Sequence, residues 1–309
     1  MLYPWLLTTF TKLAERLAQD KLHHGVLLVG EKGCGESQLA HTLAKRILCA
    51  SDAVLPCGSC KPCLLFQAQS HPDFHEVLTE KTQIGVDAVR AAIEQVNKTA
   101  QMSANKVVLI EHIETMSESA SNALLKTLEE PTNHTYLILT TNAPQYLLAT
   151  IKSRCEKIRA VMPSYQQSVD YLMEQAVDKQ AVALPTELEL AAYKHSPLLF
   201  LAKSNSSDMS FSEFETDFTS LLDKVESAES IAAKWKEQAA DVVHWTAQLS
   251  LQYFAKGVQQ STDQSRAVVD TQWMKIYDSA SHASKKLRQA GLNKVLILSA
   301  LLAQVHQLD

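Results

Sequence analysis

Four of the six cysteines of this 309-residue chain fall within residues 49–63, in the stretch CASDAVLPCGSCKPC. Cys49, Cys57, Cys60 and Cys63 are separated by seven, two and two residues. Two overlapping C-x-x-C steps bring three thiolates within reach of one ion. Cys49, at the end of the preceding helical stretch, can close a tetrahedral S₄ set suited to Zn²⁺. Gly58 and Pro62 supply the tight turns that such knuckles use. A set of free or redox-active thiols on an inserted loop is the alternative. A closed four-thiolate site leaves no position for water, so a metal here is expected to be structural rather than catalytic. Cys34 and Cys155 stand outside the cluster and are not expected to be ligands.

A second constellation precedes the cysteines. GEKGCGES, residues 30–37, has the spacing of a phosphate-binding loop, G-x-x-x-x-G-K-[ST]. Gly30, Gly35 and Ser37 fit, but the lysine position holds Glu36, a carboxylate where an ammonium would face phosphates. Like charge against a triphosphate is unfavourable, and more so in a partly dry cleft. Lys32 would bring positive charge from the wrong place. A nucleotidase of this kind also needs an acidic residue for Mg²⁺ at the end of a neighbouring strand, and beside it a carboxylate to polarise water. In LIEHIETM, Glu111 stands at the first position and His112 at the second. The site reads as degenerate, and hydrolysis by the chain itself is not expected.

Two further groups are ambiguous from spacing alone. Asn142 follows the apolar run TYLILTT, where a polar residue faces the ligand crevice of an open α/β sheet; a turn former before Pro144 is an equal reading. Arg154, in the SRC triplet Ser153-Arg154-Cys155, is either an ordinary solvated arginine or a planar cation that reaches a partner's γ-phosphate in trans.

The elements that would position these groups alternate in type. HHGVLLVG, KVVLIEHIE (106–114) and TYLILTTN (135–142) read as buried strands. Between or beside them, TTFTKLAERLAQDKL, SQLAHTLAKRILCA, VDAVRAAIEQVNKTA and SESASNALLKTLEE have helical apolar spacing. Alternation of this sort predicts a mostly parallel sheet covered on both faces. We therefore assign residues 1–163 to one α/β domain with the cysteine insertion at 49–63. From Tyr165 onward only helical periods occur. A small helical unit over 164–204, a serine-rich linker in SNSSDMSFSE (204–213) and a second helical domain to residue 309 are expected. Its last segment, NKVLILSALLAQVHQ, is apolar on most faces and reads as buried.

Composition bounds the function classes. With 46% apolar and 20% charged residues, the chain is an ordinary globular protein, and its net charge of −5 argues against wholesale nucleic-acid binding. The first residues show no basic segment or small-residue cleavage site, so no signal peptide is expected. No apolar run approaches the ~18 residues of a membrane span. A cytoplasmic location follows from these readings.

In order and spacing, the glycine loop, the cysteine insertion, HPDFHEV, GVDAVRAAIEQV, NALLKTLEEP and SRC resemble the bacterial DNA polymerase III clamp-loader AAA+ proteins. The resemblance is dense over about residues 20–160 and thin beyond. It implies an AAA+ domain followed by a helical lid and a helical collar. It further implies a member that has lost ATP hydrolysis and sits in a five-subunit ring with gamma/tau motors and a delta subunit. The ring opens a sliding clamp and loads it on primer-template DNA, and the chain would be a subunit of a DNA polymerase holoenzyme. Through the resemblance, Arg154 becomes an arginine finger in the neighbouring motor's ATP site, and the four cysteines become zinc ligands. One departure concerns HSPLL (195–199), where His195 replaces a family glycine, and no second arginine sensor stands beside Ser196 or Pro197.

An active motor subunit is the alternative, and Glu36 and His112 count against it. A zinc-bearing nucleic-acid binder is a third class, but PCGSCKPC has one lysine and no aromatic platform.

Overall fold

The computed structural model describes residues 2–77, 83–176, 184–206, 209–260, 267–287 and 291–308. It divides into two compact units, Met1–Gln167 and Ser168–Asp309.

Among the described residues the first unit is built on five strands: β1 (Gly25–Gly30), β2 (Phe74–Val77), β3 (Lys106–Ile110), β4 (Thr135–Thr141) and β5 (Glu156–Ala160). They are hydrogen-bonded in the order β2-β3-β4-β1-β5, and every pairing is parallel. β1, β3 and β4 lie where apolar runs predict them, because strands buried on both faces read as continuous hydrophobic segments. The other two were not legible. β2 has only four residues, three of them half-buried, and β5 is an edge strand whose outward positions carry charge.

Among the described residues this unit has six α-helices: α1 (Leu7–Ala18), α2 (Glu36–Leu48), α3 (Lys61–Gln67), α4 (Val86–Val96), α5 (Glu118–Glu129) and α6 (Ala149–Arg154). Each long helix turns one apolar face inward; α1, for example, buries Phe10, Leu13 and Ala14. Ser117 caps α5 by accepting from the amide of Ala120, and the helix ends just before Pro131, which cannot continue it. Strands from the middle of the sheet thus deliver Gly30, Glu111 and Asn142 to one carboxyl edge, the usual ligand side of an open parallel sheet.

In the second unit every regular element among the described residues is helical: α7 (Tyr165–Ala176, whose first turn precedes the boundary), α8 (Glu187–Ala192), α9 (Pro197–Ser204), α10 (Phe211–Leu222), α11 (Ala228–Lys234), α12 (Ala239–Gln260), α13 (Ala267–Leu287) and α14 (Lys294–His306). Its core is aromatic. Phe214 packs edge-on to Trp235, which in turn packs edge-on to Trp245. Asp217 is buried there, accepting from Trp235 Nε1 at 2.6 Å and from Lys234 Nζ at 2.7 Å, so its charge has partners. Of the expected linker 204–213, Ser204 ends α9 and residues 211–213 open α10 with Phe211 buried, both helices belong to one compact unit, and residues 207 and 208 lie outside the described residues. α14 buries Leu298, Leu301, Leu302 and Val305, but Leu296 is 68% exposed, so the helix is not buried all round as its composition suggests.

His195 takes a left-handed φ of 58° between α8 and α9. Its amide closes on Leu190 O at 2.6 Å, and Ser196 then caps α9 by accepting from the amide of Leu199. The turn therefore forms without glycine. No described helix is long and apolar enough to cross a membrane.

Candidate functional site

β1 ends at Gly30, and α2 begins at Glu36 with Gly35 as its N-cap at φ 90°. The loop between them is packed from both sides. A Cβ at Gly30 would lie 2.3 Å from Cys34 Sγ, and one at Gly35 would lie 2.4 Å from the Tyr3 ring. Trp5 stacks on Tyr3 and donates its indole N–H to Cys34 O at 2.8 Å. Glu36 is turned into this packing rather than into a phosphate cradle. It is 7% exposed, and its Oε2 accepts from the Cys34 thiol at 3.1 Å. Burial, with Glu36 adding to it, pushes the Cys34 thiol far up, so it stays a donor. Lys32 lies exposed on the outer part of the loop.

Ser37 opens the helical face toward the sheet edge, and its hydroxyl donates to Glu111 Oε1. His41 follows one turn later on the same face of α2. Its Nε2 lies 3.2 Å from Glu76 Oε1 and 3.7 Å from Glu111 Oε1. The hydrogen bond to Glu76 raises the His41 pKa against the opposing effect of burial. In the parallel register Glu76 is opposite Leu109, so Glu111, two residues on, points to the same side of the sheet. His112 is left-handed at φ 52°, donates its amide to Thr140 Oγ1 at 3.1 Å, and lies 3.5 Å from Asn142 Nδ2 through Nδ1. The structure thus brings Ser37 to Glu111 and His112 to Asn142, a residue that spacing alone left open between crevice and turn.

The cysteines converge. One sulfur from each of Cys49, Cys57, Cys60 and Cys63 lies within 4.8 Å of all the others, a spacing compatible with four thiolates around one ion. Cys49 terminates α2 and Cys63 sits in the first turn of α3, so the cluster ties the two helices together. Amides of Ser51 and Cys57 donate to Cys49 Sγ, and that of Cys60 donates to Cys57 Sγ. Amides of Cys60 and Ser59 lower the Cys57 thiol to about 6, whereas burial pushes Cys63 up to about 12. At Cys60, burial raises the thiol but amide donors outweigh it. These N–H donors favour the thiolate form that a metal requires. Cys34 and Cys155 are buried elsewhere, and burial raises Cys155 to about 11. Behind the cluster, Ser103 donates its hydroxyl to Leu48 O at 3.0 Å, while the Asp73 carboxylate accepts from the amides of Gln101, Met102 and Ser103.

Arg154 is the last residue of α6. Its Nη1 donates to Thr150 O at 3.1 Å, and its Nη2 pairs with Glu129 at the end of α5. Ser153 is exposed, Arg154 is 34% exposed in its side chain, and Cys155 is buried.

Residues 7–162 match the family described as DNA polymerase III, delta subunit. Over 98% of this chain and 95% of the relative's length, the sequence is 31% identical to DNA polymerase III subunit delta' of Escherichia coli. The chain belongs to the DNA polymerase III delta-prime family.

Another delta-prime relative, from Haemophilus influenzae, is 39% identical, with the match spanning 65% of this chain and 61% of that one. Among solved structures, a gamma subunit-related protein of Thermotoga maritima aligns over 98% of this chain and 99% of its own at 22% identity, with a TM-score of 0.47. Membership of the delta-prime family favours that reading over a motor subunit.

Sequence reasoning missed Cys34 as the filler of the loop, Tyr3 and Trp5 as its cover, and His41 with Glu76 beside Glu111. A histidine four residues after Ser37 was a usable signal, since that spacing puts both on one helical face. Glu76 carried none, because its place depends on strand register.

Proposed function

We propose that this delta-prime protein is the non-hydrolysing member of a five-subunit clamp-loader ring. In it, Arg154 completes the ATP site of a neighbouring gamma/tau motor. Supporting the first half is one observation above all: Glu36, at the lysine position, is buried under Cys34 inside a loop whose interior the chain fills itself. With Ser37 held by Glu111 and His112 in place of the water-polarising carboxylate, Gly30, Gly35, Glu36, Ser37, Glu111, His112 and Asn142 form a relic of a nucleotide site. Supporting the second half, Arg154 is partly exposed and its guanidinium is oriented by Thr150 O at Nη1 and Glu129 at Nη2, as a pre-organised finger requires. Ser153 and Cys155 flank it as the rest of the triplet.

Cys49, Cys57, Cys60 and Cys63 hold a structural Zn²⁺ in this reading, the ion fixing the end of α2 against α3. Residues 164–204 serve as lid and 205–309 as the collar that joins the other subunits. The delta subunit, the sliding clamp and primer-template DNA are reached through the assembled ring in the cytoplasm.

The test is Arg154→Ala in a reconstituted ring. Assembly stays intact and clamp-stimulated ATP hydrolysis falls, with trans fingers typically worth ~10³–10⁵ in rate. Calorimetry of ATP with magnesium on the isolated chain is expected to give no binding. An unchanged ATPase rate overturns the finger, and tight nucleotide binding overturns the relic.

A further inference from the structure

Three side chains from three different elements meet beside the filled loop. His41 comes from α2, Glu76 from β2 and Glu111 from the segment after β3. One ligand atom of each lies within 4.8 Å of the other two. The Ser37 hydroxyl already touches Glu111 Oε1, so a third oxygen, the fourth possible donor atom, borders the same point. None of the three is freely solvated, with side-chain exposures of 34% for His41, 20% for Glu76 and 24% for Glu111. Phe66 and Phe74 flank the imidazole, restricting its rotation.

Two carboxylates this close repel each other, and a single protonated imidazole balances only one of them. A dication balances both. The donor set of one imidazole nitrogen and two carboxylate oxygens suits Zn²⁺ or Mn²⁺ rather than the all-oxygen preference of Mg²⁺, and three protein ligands leave room for water. An ion has access, because a cavity of about 470 Å³ adjoins the cluster and is lined by His41 and Glu76 together with Gln38, Thr42 and Lys45.

We propose that His41, Glu76 and Glu111 form a site for a divalent transition-metal ion, Mn²⁺ or Zn²⁺, which binds without any nucleotide. The site does not rest on the ring function proposed above. It uses Glu111 but replaces the phosphate ligands of a nucleotide-borne cation with His41 and Glu76.

Mn²⁺ titrated into the zinc-loaded full chain, without nucleotide, tests this by loss of the free-ion paramagnetic resonance signal. Mn²⁺ is the probe because thiolates disfavour it. One saturable site is expected, weakened at least tenfold in His41→Ala and in Glu76→Gln. Should His41→Ala melt early, His41→Gln and Glu76→Gln carry the test with near-native volume. Two outcomes overturn the proposal. One is absence both of saturable Mn²⁺ binding and, by calorimetry, of a second Zn²⁺ equivalent. The other is binding unchanged in the variants. Either would leave the cluster as a proton-sharing ion pair.

Discussion

Arg154 Nη2 lies 2.5 Å from Glu129 Oε1, joining the SRC triplet to the end of the helix that carries LLKTLEE. The same guanidinium donates to Thr150 O, so two of its edges are committed within the chain. A planar fork keeps further donors for a phosphate; an ammonium at the same place does not. Arg154→Lys is therefore expected to fold and assemble normally yet to lose most of the stimulation lost in Arg154→Ala. Glu129→Gln changes unfolding free energy by less than about 1 kcal/mol, because the pair is largely solvated. ATPase assays on the ring and denaturant melts of the chain check the two statements separately.

Removal of metal from the four-cysteine cluster should loosen the junction of α2 and α3. Chelation is expected to lower the melting temperature, and Cys57→Ser to lower bound zinc below one equivalent. Cys155→Ala, whose sulfur is buried away from the cluster, retains the full equivalent. Metal analysis beside a thermal melt decides the matter. A chain that keeps its melting temperature when stripped of metal would contradict the structural role.

Asp73 offers a pH handle. Burial alone would raise its pKa, but the amides of Ser103, Gln101 and Met102 outweigh burial and hold it below the ordinary value of 3.8. A depressed carboxyl contributes stability above the unfolded pKa and loses it as pH falls through the folded one. Asp73→Asn is thus expected to be less stable than the parent by a constant amount above about pH 5, with the gap shrinking below about pH 4. Asp73→Ala, which orphans three amides, costs on the order of 3 kcal/mol. Urea melts across the acid range test both.

His195→Gly goes the other way. A non-glycine residue in the left-handed region is strained by roughly 1 kcal/mol, and glycine removes that strain at some cost in unfolded-chain entropy. The variant is expected to gain about 0.5 kcal/mol. Lower stability than the parent would mean that the imidazole contributes a contact outweighing the strain.

Legibility in the sequence followed a physical divide. Features fixed by local spacing were readable: the cysteines at 49, 57, 60 and 63, the loop from Gly30 to Ser37, and strands such as VVLI and TYLILT that are buried on both faces. Features set by register or by edges were not. β5, at the sheet edge, carries charge at Glu156, Lys157 and Arg159 and so shows no apolar run, and FHEV is too short for a pattern to emerge. Glu76 meets His41 only because β2 pairs with β3 one residue before its end, and Glu129 meets Arg154 only because α5 and α6 terminate together. No arrangement of residue types along the chain encodes such meetings.

Trp5, hydrogen-bonded to Cys34 O, has a use beyond packing. The chain has four tryptophans, and the other three, Trp235, Trp245 and Trp273, belong to the second unit. The glycine loop therefore carries its own optical and magnetic label. An indole N–H resonance assigned by Trp5→Phe reports directly on the Cys34 carbonyl, and an ion or ligand that rearranges the loop is expected to shift that line.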